Sequence, residues 1–285
     1  MQECITKRTY RIYADIGLLF IALIWGLTFP VIKIALDNLS PFAFNTIRFT
    51  ISSLLFLPIL KILHTKFDVD ALKDGLKIGF FVFLGYTFQT VGLDYTTATN
   101  AGFITSVYVV LTPIIAFLIY KTPFGLRDII STLLAFAGLF LLSGYNGFNI
   151  GDVLILVCAI AFATEIAMIS HYSKLNNPTM LAFMQILVVA VFSFPISLFT
   201  TSKFNINHDV INALIITAIF ATVIAKFMQN WLQKYTMPSD AAVIFSMEGV
   251  FSHIFAILML NEVLSFNQYV GAALVVLGVI IVSLR

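Results

Sequence analysis

Glu248 and His253 lie within FSMEGVFSHIF at 245–255, inside an apolar block about two dozen residues long. A carboxyl and an imidazole can each hold a proton or pair with a charged or hydrogen-bonding group. Both are costly away from water. Five residues on a helix turn through roughly 140°, so the two side chains do not share a face. The spacing is not that of an H-E-x-x-H zinc motif, and no metal site is expected. Ser246, Gly249, Ser252, His253 and Ala256 do share a face. Most are small, which suits close helix approach, so His253 reads first as a packed, hydrogen-bonded histidine and second as a coupling candidate.

Other polar groups stand in apolar surroundings. Thr222, Lys226, Gln229, Asn230 and Gln233 fall on one helical stripe, which predicts a face turned to the interior or to a water-filled cavity. Lys226 alone could snorkel to the interface, but Gln229 and Asn230 could not. Tyr86, Gln89 and Thr90 share a face, as do Thr105, Tyr108 and Thr112. Glu165 and Arg48 are a buried acid and its possible cationic counterpart. Glu248 is central in its block, and an interaction with Lys226 on the preceding helix is geometrically possible. Two readings of Glu248 stand side by side, a solute or proton site and a static ion pair. Trp25, Gln89, Tyr108, Lys226, Gln229, Asn230 and Glu248 are the candidate solute-binding residues. Glu248, Glu165 and His253 are the candidate coupling residues, since intramembrane ionisable groups are expensive and mark pathways.

The elements that position these groups follow from composition. The chain has 285 residues, 60% of them hydrophobic and 11% charged, where a soluble domain carries about 25% charged residues. Its mean hydropathy is +1.00. The apolar blocks run to about 20 residues, the length a helix needs to cross a bilayer. An all-α polytopic membrane protein is therefore expected. Spans are placed near 15–36, 41–60, 76–94, 99–119, 127–143, 151–172, 178–199, 210–232, 238–260 and 266–284. The first is read as an uncleaved span, and neither cysteine is expected in a disulfide. Alternate loops hold 12 of the 16 Lys and Arg. By the positive-inside rule both termini then face the cytoplasm and the span number is even.

The chain repeats itself. Asp15, Pro41 and Pro58 recur 137 positions later as Asp152, Pro178 and Pro195. Beyond them the offset is 140, with Gln89, Tyr95, Thr96, Ser106 and Gly138 recurring as Gln229, Tyr235, Thr236, Ser246 and Gly278. Two five-helix units, 1–145 and 146–285, are expected. Five is odd, so the second unit enters inverted, and inverted repeats suit alternating access to a site near the midplane.

Several motifs carry a family resemblance over essentially the whole chain: WGLTFPVIK at 25–33, PFAFNTIRF at 41–49, GLDYTTATNAGFI at 92–104, LTP at 111–113, LQKYTMPSDAAVIFSMEG at 232–249 and NEVLSFNQYVGAALVVLGV at 261–279. The chain resembles EamA-type transporters of the drug/metabolite transporter superfamily. It departs from their pattern at Gly249, where the family has proline, at His253, where it has a small apolar residue, and at YKTPFGLRD (120–128), which lacks the Gly-Glu turn. The resemblance implies a secondary transporter of a small organic metabolite such as an amino acid, by habit an exporter, in the cell membrane. It also makes Arg48 a structural residue.

An enzyme would need clustered acids, a metal set or a nucleophile with its base. His64, His171 and His208 fall at loops or span ends, so no catalytic residues and no cofactor are expected. A receptor or scaffold has no use for an inverted duplication, and its loops would be too short here. The expected partners are a small-molecule substrate, the lipid bilayer and, as candidate coupling ions, protons, with no nucleic acid. Monomer and homodimer both stay open.

Overall fold

The computed structural model describes residues 2–142, 149–260 and 265–284. Among the described residues there are ten helical segments and no β-strand. They are α1 (Gln2–Leu36), α2 (Pro41–Ile62), α3 (Val69–Tyr95), α4 (Ala98–Tyr120), α5 (Leu126–Leu142), α6 (Ile150–Tyr172), α7 (Pro178–Thr200), α8 (His208–Tyr235), α9 (Pro238–Leu260) and α10 (Phe266–Ser283). Nine are long and apolar enough to cross a membrane. The tenth, α5, has 17 residues and runs to the edge of the described region. Residues such as Phe199, Leu258 and Leu277 are exposed on the outside, as a lipid-facing surface requires. The chain is a multi-pass membrane protein.

Helix starts follow local chemistry. Pro41 and Pro178 open α2 and α7 at a position that needs no N–H donor. The Asn177 side chain accepts from the Thr179 N–H at 2.9 Å. Asn149 and Asp152 cap α6 reciprocally, at 3.1 and 2.9 Å. At α10 the Gln268 side chain accepts from the Ser265 N–H at 2.7 Å, the reciprocal bond of a capping box. α3 begins at Val69, earlier than expected from hydropathy, because a helix capped by Asp68 runs past the apolar stretch. Residues 261–264, including Glu262, lie outside the described residues.

The helices pack in related pairs. α2 meets α7 and α5 meets α10; α3 packs on α6 as α8 packs on α1, and α1 on α9 as α6 on α4. Exchanging the halves of the chain maps this pattern onto itself. α4 and α9 are also broken at corresponding points, Ser106 and Ser246. Each serine bonds back to a carbonyl of the preceding turn, Ser106 to Gly102 at 2.8 Å and Ser246 to Val243 at 2.6 Å, a habit that bends helices. Gly249 serves the same contact. A Cβ there would come within 2.9 Å of Leu139 and 3.1 Å of the Ser106 hydroxyl.

Among the described residues, polar contacts tie the bundle at both ends. At one, Arg11 pairs with Asp240 at 2.7 Å and also donates to the Val282 carbonyl at 3.2 Å. At the other, the turns after α1 and α7 are laced together. There Ser40 N–H donates to Lys203 O and Asn205 N–H to Asn38 O, each at 3.0 Å.

Candidate functional site

Between these ends lies a narrow cavity of about 20 Å³, room for about one water molecule and well below the roughly 300–1,000 Å³ of small-molecule sites. Its wall consists of Trp25, Thr28, Phe29, Arg48, Tyr86, Gln89, Tyr108, Phe162, Glu165, Ile166, Lys226 and Glu248. Ten of these are five repeat-related pairs: Trp25 with Phe162, Thr28 with Glu165, Phe29 with Ile166, Tyr86 with Lys226 and Tyr108 with Glu248. Position is conserved between the halves while chemistry is not. Arg48 and Gln89 line the cavity without their mates, Gln185 and Gln229.

The anchor of the wall is an ion pair. Lys226 Nζ donates to Glu165 Oε1 at 2.6 Å, with both side chains almost fully buried. The same ammonium lies 5.2 Å from the Trp25 ring, 5.6 Å from Tyr86 and 5.9 Å from Phe162, so aromatic faces share its charge. The direct ion pair is thus with Glu165, while the expected Lys226–Glu248 interaction is one of charge at longer range. The polar stripe of α8 faces α6, where Gln233 meets Ile166 and Ser170, so its Lys226 meets Glu165. Snorkelling is excluded as well, since Lys226 is 1% exposed.

Arg48 is held differently. Its Nε donates to Thr222 Oγ1 at 2.9 Å, and its guanidinium lies 5.0 Å from the Phe49 ring and 4.8 Å from Tyr86. Its Nη1 is buried without a hydrogen-bond partner, and no carboxylate pairs with it among the described residues. Glu248 is the converse. It faces the Tyr108 hydroxyl, and its Oε1 is buried without a hydrogen-bond partner. The cavity thus presents one unsatisfied cationic donor and one unsatisfied acidic acceptor.

The frame behind Arg48 is unusual. Ile216–Ile224 of α8 is a π-helix, and Thr222 Oγ1 donates to Thr217 O at 2.8 Å, one residue further back than an α-helix would place it. Trp25 Nε1 donates to Ala221 O and Ser52 Oγ to Ala218 O, both at 3.0 Å. π-Segments occur often at functional sites, and two wall residues, Trp25 and Arg48, hang on this one.

Of the candidate solute-binding residues, the structure brings Trp25, Gln89, Tyr108, Lys226 and Glu248 to the wall. Gln89 Nε2 reaches Thr105 Oγ1 at 3.4 Å. Gln229 and Asn230 stay behind it: Gln229 accepts from Lys226 at 3.1 Å, and Asn230 accepts from Gln185 at 2.9 Å. Of the coupling candidates, Glu165 and Glu248 are at the wall. His253 is not; it meets Thr99 of α4 at 3.0 Å. Thr28, Phe29, Arg48, Tyr86, Phe162 and Ile166 were not among the candidates. The 137- and 140-residue offsets, applied to Trp25 and Lys226, point to Phe162 and Tyr86.

Comparison with known proteins agrees with this architecture. The model of the EamA-like transporter family matches the chain twice, over residues 12–144 and 149–284. An uncharacterized transporter of Archaeoglobus fulgidus is 63% identical over 275 residues, covering 96% of this chain and 87% of that protein. The uncharacterized transporter YetK of Bacillus subtilis is 25% identical, covering 91% and 83%. A crystal structure superposes with a TM-score of 0.77 at 16% identity, covering 95% of this chain and 96% of its own, a likeness of fold. With two family matches spanning nearly its full length, the chain belongs to the EamA-like transporter family and is a membrane transporter.

Proposed function

We propose that the protein is a secondary carrier for a small organic solute bearing both an anionic and a cationic group, an amino acid being the simplest. The carrying observation is the pair of unsatisfied groups in the cavity, Arg48 Nη1 and Glu248 Oε1. An uncompensated buried charge costs several kcal/mol. A zwitterion offsets both at once, its carboxylate toward Arg48 and its ammonium toward Glu248, with Trp25, Tyr86 and Phe162 as apolar walls. Lys226 and Glu165 neutralise each other in the closed cavity, so the ends of the solute go first to Arg48 and Glu248.

Units 1–145 and 146–285 rock about the cavity to open it at either end in turn. The charge bias of the loops supports cytoplasmic termini in the cell membrane, and the family's habit supports export. One chain encloses the whole cavity, which supports a monomer as the working unit. Glu248 is the residue through which protons would couple.

Reconstitution in liposomes tests this, following efflux of a labelled pool of amino acids and nucleobases with and without a pH gradient. Selective amino-acid flux, weakened in Glu248→Gln, supports the reading. A gradient response that disappears in the variant adds proton coupling. Flux no greater than in protein-free liposomes, from folded protein, contradicts it.

A further inference from the structure

A ladder of side-chain amides leaves the cavity along α8. Lys226 Nζ donates to Gln229 Oε1 at 3.1 Å, and Gln229 Nε2 donates to Gln233 Oε1 at 3.3 Å. Gln233 Nε2 then donates to Ser170 Oγ at 2.7 Å and to Ile166 O at 2.6 Å, both on α6. Lys226, Gln229, Gln233 and Ser170 are all buried. An ammonium can only donate and a backbone carbonyl can only accept. Each glutamine between them must therefore turn its oxygen toward Lys226 and its nitrogen toward α6. The ladder has a direction, fixed by Lys226 at one end and by the Ile166 carbonyl at the other. It ends where Gln233 O accepts the Thr236 N–H at 3.2 Å, in the turn that joins α8 to α9.

The repeat contains a control. Gln233 corresponds to Leu93 and Ser170 to Lys33. In the first half these mates are also tied, Lys33 Nζ donating to Leu93 O at 2.8 Å, at the opposite end of the bundle. There the position between cavity and tie is held by Gln89, whose amide goes to Thr105 on α4. Both ends have a tie between corresponding helices, but only the second is joined to the cavity's ion pair by hydrogen bonds.

We propose that Gln229 and Gln233 are positioning residues that couple the Lys226–Glu165 pair to the turn at 233–237. With the pair closed, the ladder is complete and holds α8 on α6 at that end. When a solute draws Lys226 away, Gln229 loses its donor and is free to turn, Gln233 loses its partner at Oε1, and the tie to Ser170 and Ile166 loosens. The inference rests on the carrier reading and supplies the trigger by which cavity occupancy would reach one end of the bundle and not the other.

Hydrogen–deuterium exchange on the full chain in lipid nanodiscs tests this without any solute, so it stands or falls separately from flux. Lys226→Met should speed exchange in the 233–237 turn by about tenfold, within the usual range of coupling between sites, and leave 93–97 unchanged. In a Gln229→Leu background, where the ladder is already cut, Lys226→Met should add nothing; a purely structural Gln229 would give additive effects. Where Lys226→Met alone does not fold, Lys226→Met with Glu165→Gln removes both charges and gives the same readout. An unchanged 233–237 turn, equal acceleration at 93–97, or an effect that persists in Gln229→Leu would each overturn the coupling.

Discussion

The two halves of the cavity wall occupy corresponding places and differ in charge. The first half supplies Trp25, Thr28, Phe29, Tyr86 and Tyr108; the second supplies Phe162, Glu165, Ile166, Lys226 and Glu248 at the matching positions. Three uncharged residues of one half thus face three ionisable residues of the other. A duplicated fold fixes where side chains enter the cavity, because the helices pack in exchanged pairs. It does not fix what they are. A wall with the same chemistry on both sides would hold an asymmetric solute in either of two orientations. Under the proposed carrier reading, charge on one side, with Arg48 as the wall's one cation from the first half, would remove that ambiguity.

Replacing Lys226 by Met should break the comparison most severely. It strands Glu165 in the wall, and loss of one partner of a buried pair costs about 3–5 kcal/mol. Thermal unfolding in detergent should fall accordingly, and flux should disappear. Lys226→Met with Glu165→Gln should recover most of the stability and none of the flux, separating the pair's structural role from its part in transport.

Glu248→Gln should come next. It removes the unsatisfied acidic acceptor without removing bulk. A hydrogen bond to a charged group contributes about 1.5–3 kcal/mol, so the half-saturating amino-acid concentration should rise roughly 10- to 100-fold by that measure. Its mate offers the sharper contrast. Tyr108→Phe deletes a neutral hydroxyl that faces Glu248, and kinetics should show a change of about fivefold or less. Equal effects at Tyr108 and Glu248 would mean that the halves contribute alike.

The smallest effect is expected at His253→Gln, outside the cavity against Thr99. Stability should fall by about 1 kcal/mol for the altered hydrogen bond, with flux nearly unchanged. A change in the pH dependence of flux in this variant would return His253 to the coupling residues.

Much of this site was legible in the sequence, for physical reasons. The α8 stripe could be read because polar groups at helical spacing stand out against a bilayer-length apolar background. Glu248 stood out because it was too central to reach an interface. The choice of Glu165 over Glu248 as the partner of Lys226 was not legible: both lie at suitable depth, and only the packing of α8 on α6 decides. The π-segment at 216–224 changes hydrogen-bond register without any special residue, so no local signal marks it. Arg48 was assigned to structure by family likeness, and its place in the cavity wall with an unpaired Nη1 came only from the packing. Phe162 and Tyr86 were concealed by divergence, since the repeat was traced through identical residues and these mates differ.

Selectivity against truncated solutes tests the central claim most directly. Proteoliposomes carrying wild type, Arg48→Gln or Glu248→Gln would be offered an amino acid, the amine that lacks its carboxylate and the acid that lacks its ammonium. Wild type should carry the amino acid in preference to both. Arg48→Gln should shift relative preference toward the amine, and Glu248→Gln toward the acid. Selectivity left unchanged by both substitutions would show that these two groups do not read the ends of the solute.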